Sequence, residues 1–308
     1  MKDIRAEKRL SALTDIFEKT GRKVNLTIFI FSAAVLAVFF LIVMAMDCNR
    51  FVVKRYKCKS RILRKDGRII LLSDLHNKAF GAGNARLLAA IDELAPDLIL
   101  IAGDMYTSNE GGDTSVARDL VCTLSAKYPV YYGNGNHEHK TKLFPEQFGT
   151  MYTDYVKEIK KAGAHHLVNE KVYLPDFNMD LYGLEIGREY YGKFKNTRMD
   201  TAYLEKILGK PAESRFSVVI AHNPDYFKTY AKWGADLVVS GHVHGGLMRL
   251  PVLGGVISPA IKLFPKYDGG EYREGKAVMI LGRGLGTHTL PIRIFNPGEL
   301  VVIDFSRS

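Results

Sequence analysis

The chain has 308 residues, 47% hydrophobic and 25% charged, with 43 Lys+Arg against 33 Asp+Glu for a formal net charge of +10. These proportions belong to a folded globular protein and exclude a disordered, collagen-like or disulfide-scaffolded chain. The basic excess would suit a nucleic-acid partner, but the first 69 residues hold 16 of the Lys+Arg and 6 of the Asp+Glu, leaving 27 of each sign beyond; no nucleic-acid binding is expected.

Residues 1–23 form a basic N-terminal segment with seven Lys+Arg. Residues 24–46, Val24 to Met46, contain no Asp, Glu, Lys or Arg. As a helix this stretch is about 35 Å long, enough to cross a hydrocarbon core of ~30 Å, so it is predicted to be a single transmembrane helix that places the chain at the cell membrane. The basic leader is long and the apolar run exceeds an ordinary signal core, which favours an anchor over a cleaved signal. Residues 47–67 are expected to be a basic juxtamembrane linker. Its Arg50, Lys54, Arg55, Lys57, Lys59, Arg61, Arg64 and Lys65 would lie beside anionic headgroups, each worth on the order of 1 kcal/mol. Seven basic residues before the span and nine after it, over Asp47 to Ile69, do not choose a side of the membrane for the rest of the chain. Cys48, Cys58 and Cys122 spell neither a zinc motif nor a disulfide framework, and Cys122 reads as a small core residue.

From residue 68 to 308 the sequence reads as one α/β domain. Apolar runs at Arg68–Ser73, Asp97–Ala102, Val130–Gly133, Ser217–Ala221 and Ala235–Ser240 predict buried strands. Helical periodicity at Asn84–Leu94, Ser115–Ala126, Pro145–Ala162, Thr201–Leu208 and Asp225–Lys232 alternates with several of them. Consecutive strand-like segments between Leu167 and Ile186, and AVMIL, IRIF and ELVVIDF near the C-terminus, predict a second, more antiparallel sheet.

Chemistry-bearing residues follow the predicted strands. Ser73-Asp74-Leu75-His76, Gly103-Asp104, Gly135-Asn136-His137-Glu138, Ala221-His222 and Gly241-His242-Val243-His244 each end such a run. Strand ends of an α/β sheet converge on a ligand crevice. One residue separates Asp74 from His76 and His242 from His244, so in extended backbone each pair would face one side. Two carboxylates, imidazoles and an amide form a hard-to-borderline donor set suited to two divalent ions of the manganese, zinc or iron type. The other histidines, His139, His165, His166 and His288, are expected at the surface or behind the site.

This ordered set resembles the calcineurin-like metallophosphoesterase superfamily over nearly all of residues 68–308. Arg249-Leu250-Pro251, Leu263-Phe264-Pro265-Lys266-Tyr267, Arg283-Gly284-Leu285-Gly286 and Pro291-Ile292-Arg293-Ile294-Phe295-Asn296-Pro297 make it similar to the bacterial membrane-anchored branch, which includes phosphodiesterases and UDP-2,3-diacylglucosamine pyrophosphatases. The resemblance implies a four-layer α/β/β/α sandwich. It implies one metal on Asp74, His76 and His244, a second on Asn136, His222 and His242, and Asp104 bridging them. His137 would be the catalytic residue that contacts the phosphate, as general acid or as a donor to developing charge. Between two such metals a bridging water becomes the attacking hydroxide. The expected function is hydrolysis of a phosphodiester or pyrophosphate, and anchoring makes a lipid-linked substrate attractive; the alternatives are a protein or small-molecule phosphomonoesterase and a metal-binding membrane scaffold without turnover. Thr107 departs from the family pattern, standing where many relatives have an acidic residue three positions beyond the Asp, and Glu138 stands where many have Asp. Tyr182, Tyr190, Tyr191 and Phe194, and the run Leu247–Lys266, are expected either to line a substrate pocket or to be core strand and ordinary loop.

Overall fold

The computed structural model describes residues 2–192, 197–250, 253–257, 263–287 and 291–308, with residues 2–24 as backbone alone. Phe194 and His288 lie outside the described residues. The chain divides into two compact units, Met1–Ala45 and Met46–Ser308.

The first unit is helical throughout its described length, as part of α1 (Lys2–Cys48). Asn25–Cys48 is the stretch long and apolar enough to cross a membrane. Its large side chains, among them Leu26, Phe29, Phe31, Leu36 and Leu41, are exposed, as expected of a helix whose solvent would be lipid.

In the second unit two six-stranded sheets lie face to face. The first runs β1 (Phe51–Lys59), β14 (Gly298–Ser306), β2 (Gly67–Leu72), β3 (Leu98–Ile101), β4 (Val130–Gly133) and β5 (His165–Leu167). The second runs β12 (Gly270–Glu274), β13 (Ala277–Leu281), β9 (Leu237–Ser240), β8 (Phe216–Ala221), β7 (Met179–Leu184) and β6 (Glu170–Leu174). A separate antiparallel pair joins β10 (Met248–Leu250) and β11 (Gly254–Ile257).

Both faces of each sheet are covered, which explains the unbroken apolar runs. In β2, Ile69 and Leu71 join the core between the sheets, where they meet Val218 and Ile220 of β8 and Val239 of β9. Ile70 and Leu72 point the other way, into a layer with Leu87 and Ile91 of α2 (Ala85–Leu94), Leu120 and Leu124 of α3 (Ser115–Ser125), and Tyr155 and Ile159 of α6 (Met151–Lys161). Behind the second sheet, Tyr182, Val219 and Val238 pack on Leu204 of α7 (Thr201–Leu208) and on Phe227, Tyr230 and Trp233 of α8 (Phe227–Trp233). The order of layers is α/β/β/α.

Two expectations are corrected. Residues 51–59, expected within a linker, form β1, paired parallel to β14 from Phe51 on Gly298 to Lys59 on Ser306. The second sheet is the more antiparallel of the two, as expected, with antiparallel pairs at both edges, β6 with β7 and β12 with β13, against the single pair β14 with β2 in the first; α7 and α8 supply the crossovers that make β7, β8 and β9 parallel. Finally, IRIF is not a strand, and the ELVVIDF run joins the first sheet as β14.

Candidate metal centre

The five motifs leave the carboxyl ends of β2, β3, β4, β8 and β9. They are not extended there, as the spacing suggested: Asp74, His76, Asp104, His242 and His244 have φ of 51, 49, 54, 77 and 55°, the left-handed region that non-glycine residues enter only when their surroundings hold them. Backbone bonds do the holding. The Asp74 N–H donates to the Gly103 carbonyl at 2.9 Å, the His76 N–H to the Asp104 carbonyl at 3.1 Å, and the His242 N–H to Asp74 Oδ1 at 2.9 Å. Gly103 and Gly135 are required because their loops touch backbone to backbone: a Cβ on Gly103 (φ 80°) would strike the Gly135 backbone, and one on Gly135 would strike the Asp104 carboxylate.

Glu138, in α4 (Asn136–Leu143), ties these loops together. Its carboxylate accepts from the N–H groups of Asp104, Met105 and Gly135 at 2.8, 2.9 and 2.9 Å and from the Tyr132 hydroxyl at 2.7 Å. Burial, reinforced by the Asp104 charge, pushes its carboxyl up to about 7. α4 continues toward a second short helix, α5 (Pro145–Phe148), and neither has an apolar stripe of the usual length.

All eight motif residues meet at this edge of the sandwich. The donor atoms of Asp74, His76 and His244 lie within 4.8 Å of one another, as do those of Asp104, His222 and His242. Asp104 belongs also to a third such group with His76 and His137. His222 Nε2 is 3.1 Å from Asp104 Oδ2 and 3.1 Å from Asn136 Oδ1, while His244 Nε2 is 3.5 Å from Asp74 Oδ1 and 3.1 Å from His76 Nε2. Asp104 Oδ1 accepts the His137 N–H at 2.8 Å.

The donor set fits cations. Asp74 Oδ2 is buried without a hydrogen-bond partner, and acceptors crowd a space where neutral protein would place donors. Burial, with the Asp104 charge adding to it, pushes the Asp74 carboxyl up to about 6. Burial also lowers His242 to about 3, helped by the His222 charge, so its ring is neutral at any working pH. For His222 burial acts downward, but Asp104 and Asp74 outweigh it and raise the ring to about 9. The proton on His222 is thus a stand-in for the charge that a metal ion would bring, and binding would release it.

Several further residues shape the site, some of them within the family-like runs of the sequence but none expected there as a metal or catalytic residue. Asn296 Nδ2 donates to the carbonyls of His244 and Gly246 at 2.8 and 2.7 Å, and its own N–H donates to Asp47 Oδ2 at 2.9 Å. Arg293 is buried and donates to the carbonyls of Arg283, Gly284, Gly286 and Asn296. Thr107 Oγ1 lies 3.1 Å from His76 Nδ1, and Ser108 contacts His137 Nδ1. The Tyr191 ring is 5.5 Å from that of His242 and edge-on to it, whereas Tyr182 is core in β7. Of the Leu247–Lys266 run, the described part forms β10, β11 and the turn from Leu263 to Lys266.

His139 and His166 are buried behind the site rather than exposed. His166 Nε2 donates to Asn134 Oδ1 at 2.8 Å, Asn134 Nδ2 donates to Glu185 Oε2 at 2.6 Å, and Lys142 donates to Glu185 Oε1 at 2.6 Å. His165 instead stacks on Tyr131 at 4.9 Å. Burial, with Lys160 adding, lowers His166 from 6.5 to about 4. Between those values the unfolded chain binds a proton that the folded chain refuses, so the stability given by the neutral ring is complete above pH 6.5 and is lost as pH falls to about 4. The difference amounts to about 3 kcal/mol. His166→Gln is expected to flatten the fall in unfolding midpoint over this range; an equally steep fall would assign it to other groups.

Comparison with known proteins agrees with this geometry. Residues 67–246 match the family model described as calcineurin-like phosphoesterase. The chain is 27% identical over 220 residues to the uncharacterized metallophosphoesterase YkuE of Bacillus subtilis, covering 70% of each chain. It is 26% identical to the phosphodiesterase YaeI of Escherichia coli, covering 71% of this chain and 75% of that one. To the UDP-2,3-diacylglucosamine pyrophosphatase LpxG of Chlamydia muridarum it is 22% identical, covering 77% and 82%. Two animal relatives are longer, and the chain spans about half of each.

Proposed function

This chain belongs to the calcineurin-like phosphoesterase family and is a metal-dependent phosphoester hydrolase; from that premise we propose that it is membrane-anchored through Asn25–Cys48 and cleaves a phosphodiester or pyrophosphate, on a lipid-linked substrate, at a dinuclear centre. The observation that carries the reading is the position of Asp104, whose carboxylate lies against both ligand groups. Asp74, His76 and His244 would hold one ion, Asn136, His222 and His242 the other, and Asp104 both. Two bound cations would neutralise phosphoryl charge and acidify a water to serve as nucleophile.

The chain's own residues do the rest. Glu138 fixes the Asp104 and Gly135 loops, so the ligands are already in place before substrate arrives. His137, at the first turn of α4, stands beside Asp104, with Nε2 4.0 Å from Oδ2, where it reaches a phosphoryl oxygen held between the two ligand groups. Tyr191 packs edge-on against His242, ring centroids 5.5 Å apart, and occupies that side of the site. The anchor confines the enzyme to the bilayer surface, and the lipid-linked diphosphate cleaved by LpxG is the model for its substrate.

The test is turnover by the full-length chain in detergent with added manganese, on bis(p-nitrophenyl) phosphate, p-nitrophenyl phosphate and UDP-2,3-diacylglucosamine. Metal-dependent hydrolysis is expected, with the diester and the lipid diphosphate preferred over the monoester. Absence of metal-dependent turnover on all three would sink the reading, and a monoester preference would sink the substrate class.

A further inference from the structure

The metal end of the second unit exposes large apolar side chains. Leu253, Leu263 and Phe264 are 62, 67 and 60% exposed, more than any other large apolar residue of that unit among the described residues, and Phe295 is 41% exposed. They belong to one small ladder. Leu263 bridges Ile257 of β11, the Phe264 N–H donates to the Val256 carbonyl at 2.9 Å, β11 pairs with β10, and beyond β10 the Arg249 N–H donates to the Ile294 carbonyl at 3.0 Å. The ladder grows out of the loop that carries His244, since the Leu247 N–H donates to the Ile257 carbonyl at 2.7 Å and the Ile294 N–H to the Leu247 carbonyl at 3.0 Å. Phe264 and Phe295 have φ of 45 and 54°, a conformation that bulky residues enter only under constraint. Two aromatic residues are thus held in a costly backbone conformation, yet the fold encloses neither ring.

Where the chain arrives indicates what covers them. The apolar stretch Asn25–Cys48 ends inside the second unit, which begins at Met46. Cys48 Sγ donates to the Pro291 carbonyl at 3.3 Å, and Asp47 Oδ2 accepts the Asn296 N–H at 2.9 Å. The last residues of the stretch are therefore fastened to both ends of the loop that carries Phe295. Basic side chains gather at the same place. Arg50 pairs with Asp47 at 2.7 Å, while Lys78 and Arg86 donate to the side-chain and backbone oxygens of Asn49 at 2.6 and 3.4 Å. Exposed apolar side chains bordered by cations, at the end of an apolar helix, suit a bilayer interface, with the rings among the acyl chains and the cations at the headgroups.

We propose that the metal end of the second unit docks on the bilayer through Leu253, Leu263, Phe264 and Phe295, with Arg50, Lys78 and Arg86 at the headgroups, so that the metal centre faces the membrane surface. The inference rests on the anchored reading above and adds a direction to it, because an anchor alone sets only proximity. The anchor already holds these side chains beside the lipid, so docking is an intramolecular step in which a few exposed side chains suffice. Asn296 links the docking face to the centre. It follows Phe295 in the chain, and its amide donates to the His244 and Gly246 carbonyls, so a loop seated on the bilayer steadies the ligand loop as well.

The test uses the chain's single tryptophan, Trp233, which is buried behind the second sheet and serves as an internal standard of the fold. Full-length chains with one added tryptophan are reconstituted in vesicles of phosphatidylcholine and phosphatidylglycerol whose acyl chains are brominated near the headgroups. Phe39→Trp reports on the anchor and Phe264→Trp on the docking face. Asp176→Trp, in the turn between β6 and β7 at the opposite end of the sheet, reports on the far side. Bromine is expected to remove most of the emission added by Phe39→Trp and Phe264→Trp and none of that added by Asp176→Trp. Quenching of Phe39→Trp without Phe264→Trp overturns the proposal and leaves the anchor standing. Equal quenching of Phe264→Trp and Asp176→Trp shows a unit without a preferred face and overturns it too, and quenching of none refutes the anchor and the docking together. Leu253→Ser with Leu263→Ser, added to the Phe264→Trp chain, should abolish most of its quenching with the Trp233 emission unchanged. Lys78→Gln with Arg86→Gln should abolish the increase that phosphatidylglycerol gives over phosphatidylcholine alone. Quenching that survives both pairs of substitutions would show that this face is not what holds the unit to the bilayer.

Discussion

Asp104→Asn is expected to lower kcat/KM by at least about 1000-fold and to abolish most of the stabilisation that divalent metal gives the folded chain. The side chain is fully enclosed, with Oδ1 on the His137 N–H and Oδ2 on His222. Burial opposes its charge, yet His222 and His137 outweigh it and hold the carboxyl well below its ordinary range, so Asp104 is an anion at every working pH. Asparagine keeps an oxygen for the His137 N–H. The bonds from the Asp104 N–H to Glu138 and from the His76 N–H to the Asp104 carbonyl belong to the backbone and survive. The variant should therefore fold with its loops in place. What it loses is the negative charge common to both ligand groups. Loss of an outer partner of a ligand typically costs 10–100-fold, and loss of the shared ligand costs more. His222, without its 3.1 Å partner, should fall from about 9 toward the ordinary histidine value and release its proton. The check combines metal analysis, expected to fall from two ions per chain to at most one, with thermal unfolding at increasing manganese. Wild type should gain about 2.7 kcal/mol when metal is at 100 times its Kd. An Asp104→Asn chain that binds two ions and gains as much would remove Asp104 from the centre.

Much of this site was legible because its chemistry lies in short local motifs at the ends of strands that announce themselves. Ile69 to Leu72 is apolar at every position because the strand is covered on both faces, and Asp74 and His76 follow directly. The strand β1 was hidden by its position. It is an edge strand with Lys54, Arg55, Lys57 and Lys59 exposed, so it reads as a charged tether, and its partner β14 comes at the other end of the chain. The helix α4 was hidden by function, since its buried residues are His137, Glu138, His139 and Thr141, polar groups turned to the metal centre and the network behind it. The parallel middle of the second sheet depends on crossovers rather than on strand composition. Ser108 and Arg293 acquire their partners only through folding: nothing marks Ser108, and the run Pro291–Pro297 that holds Arg293 carries the resemblance without showing what the side chain binds.

Arg293 is where the second large effect is expected. The residue is 2% exposed, and its guanidinium donates to four backbone carbonyls, those of Arg283, Gly284, Gly286 and Asn296, which belong to the two loops flanking it. Burial lowers its pKa to about 10, so it remains charged at neutral pH. Arg293→Met fills a similar volume and removes the cost of enclosing the charge, but it leaves those carbonyls without donors. An unsatisfied buried acceptor costs roughly 1–3 kcal/mol, and four of them outweigh the relief of one charge. A net loss on the order of 3 kcal/mol in denaturant unfolding is expected. The loss should reach the metal centre, because the Gly286 N–H donates to the Asp74 carbonyl at 2.7 Å and Asn296 carries the carbonyls of His244 and Gly246. Loosening both loops releases Asp74 and His244 together, the two residues joined through the 3.5 Å approach of Nε2 to Oδ1. Metal affinity should accordingly weaken about 10–100-fold, the usual scale for groups that hold ligands in place. Arg293→Lys preserves the charge but cannot span four carbonyls with its three donors, and it should fall between wild type and Met. Equal stability of Met and wild type, or a loss of stability with metal affinity unchanged, would show that these loops hold the ligands without Arg293.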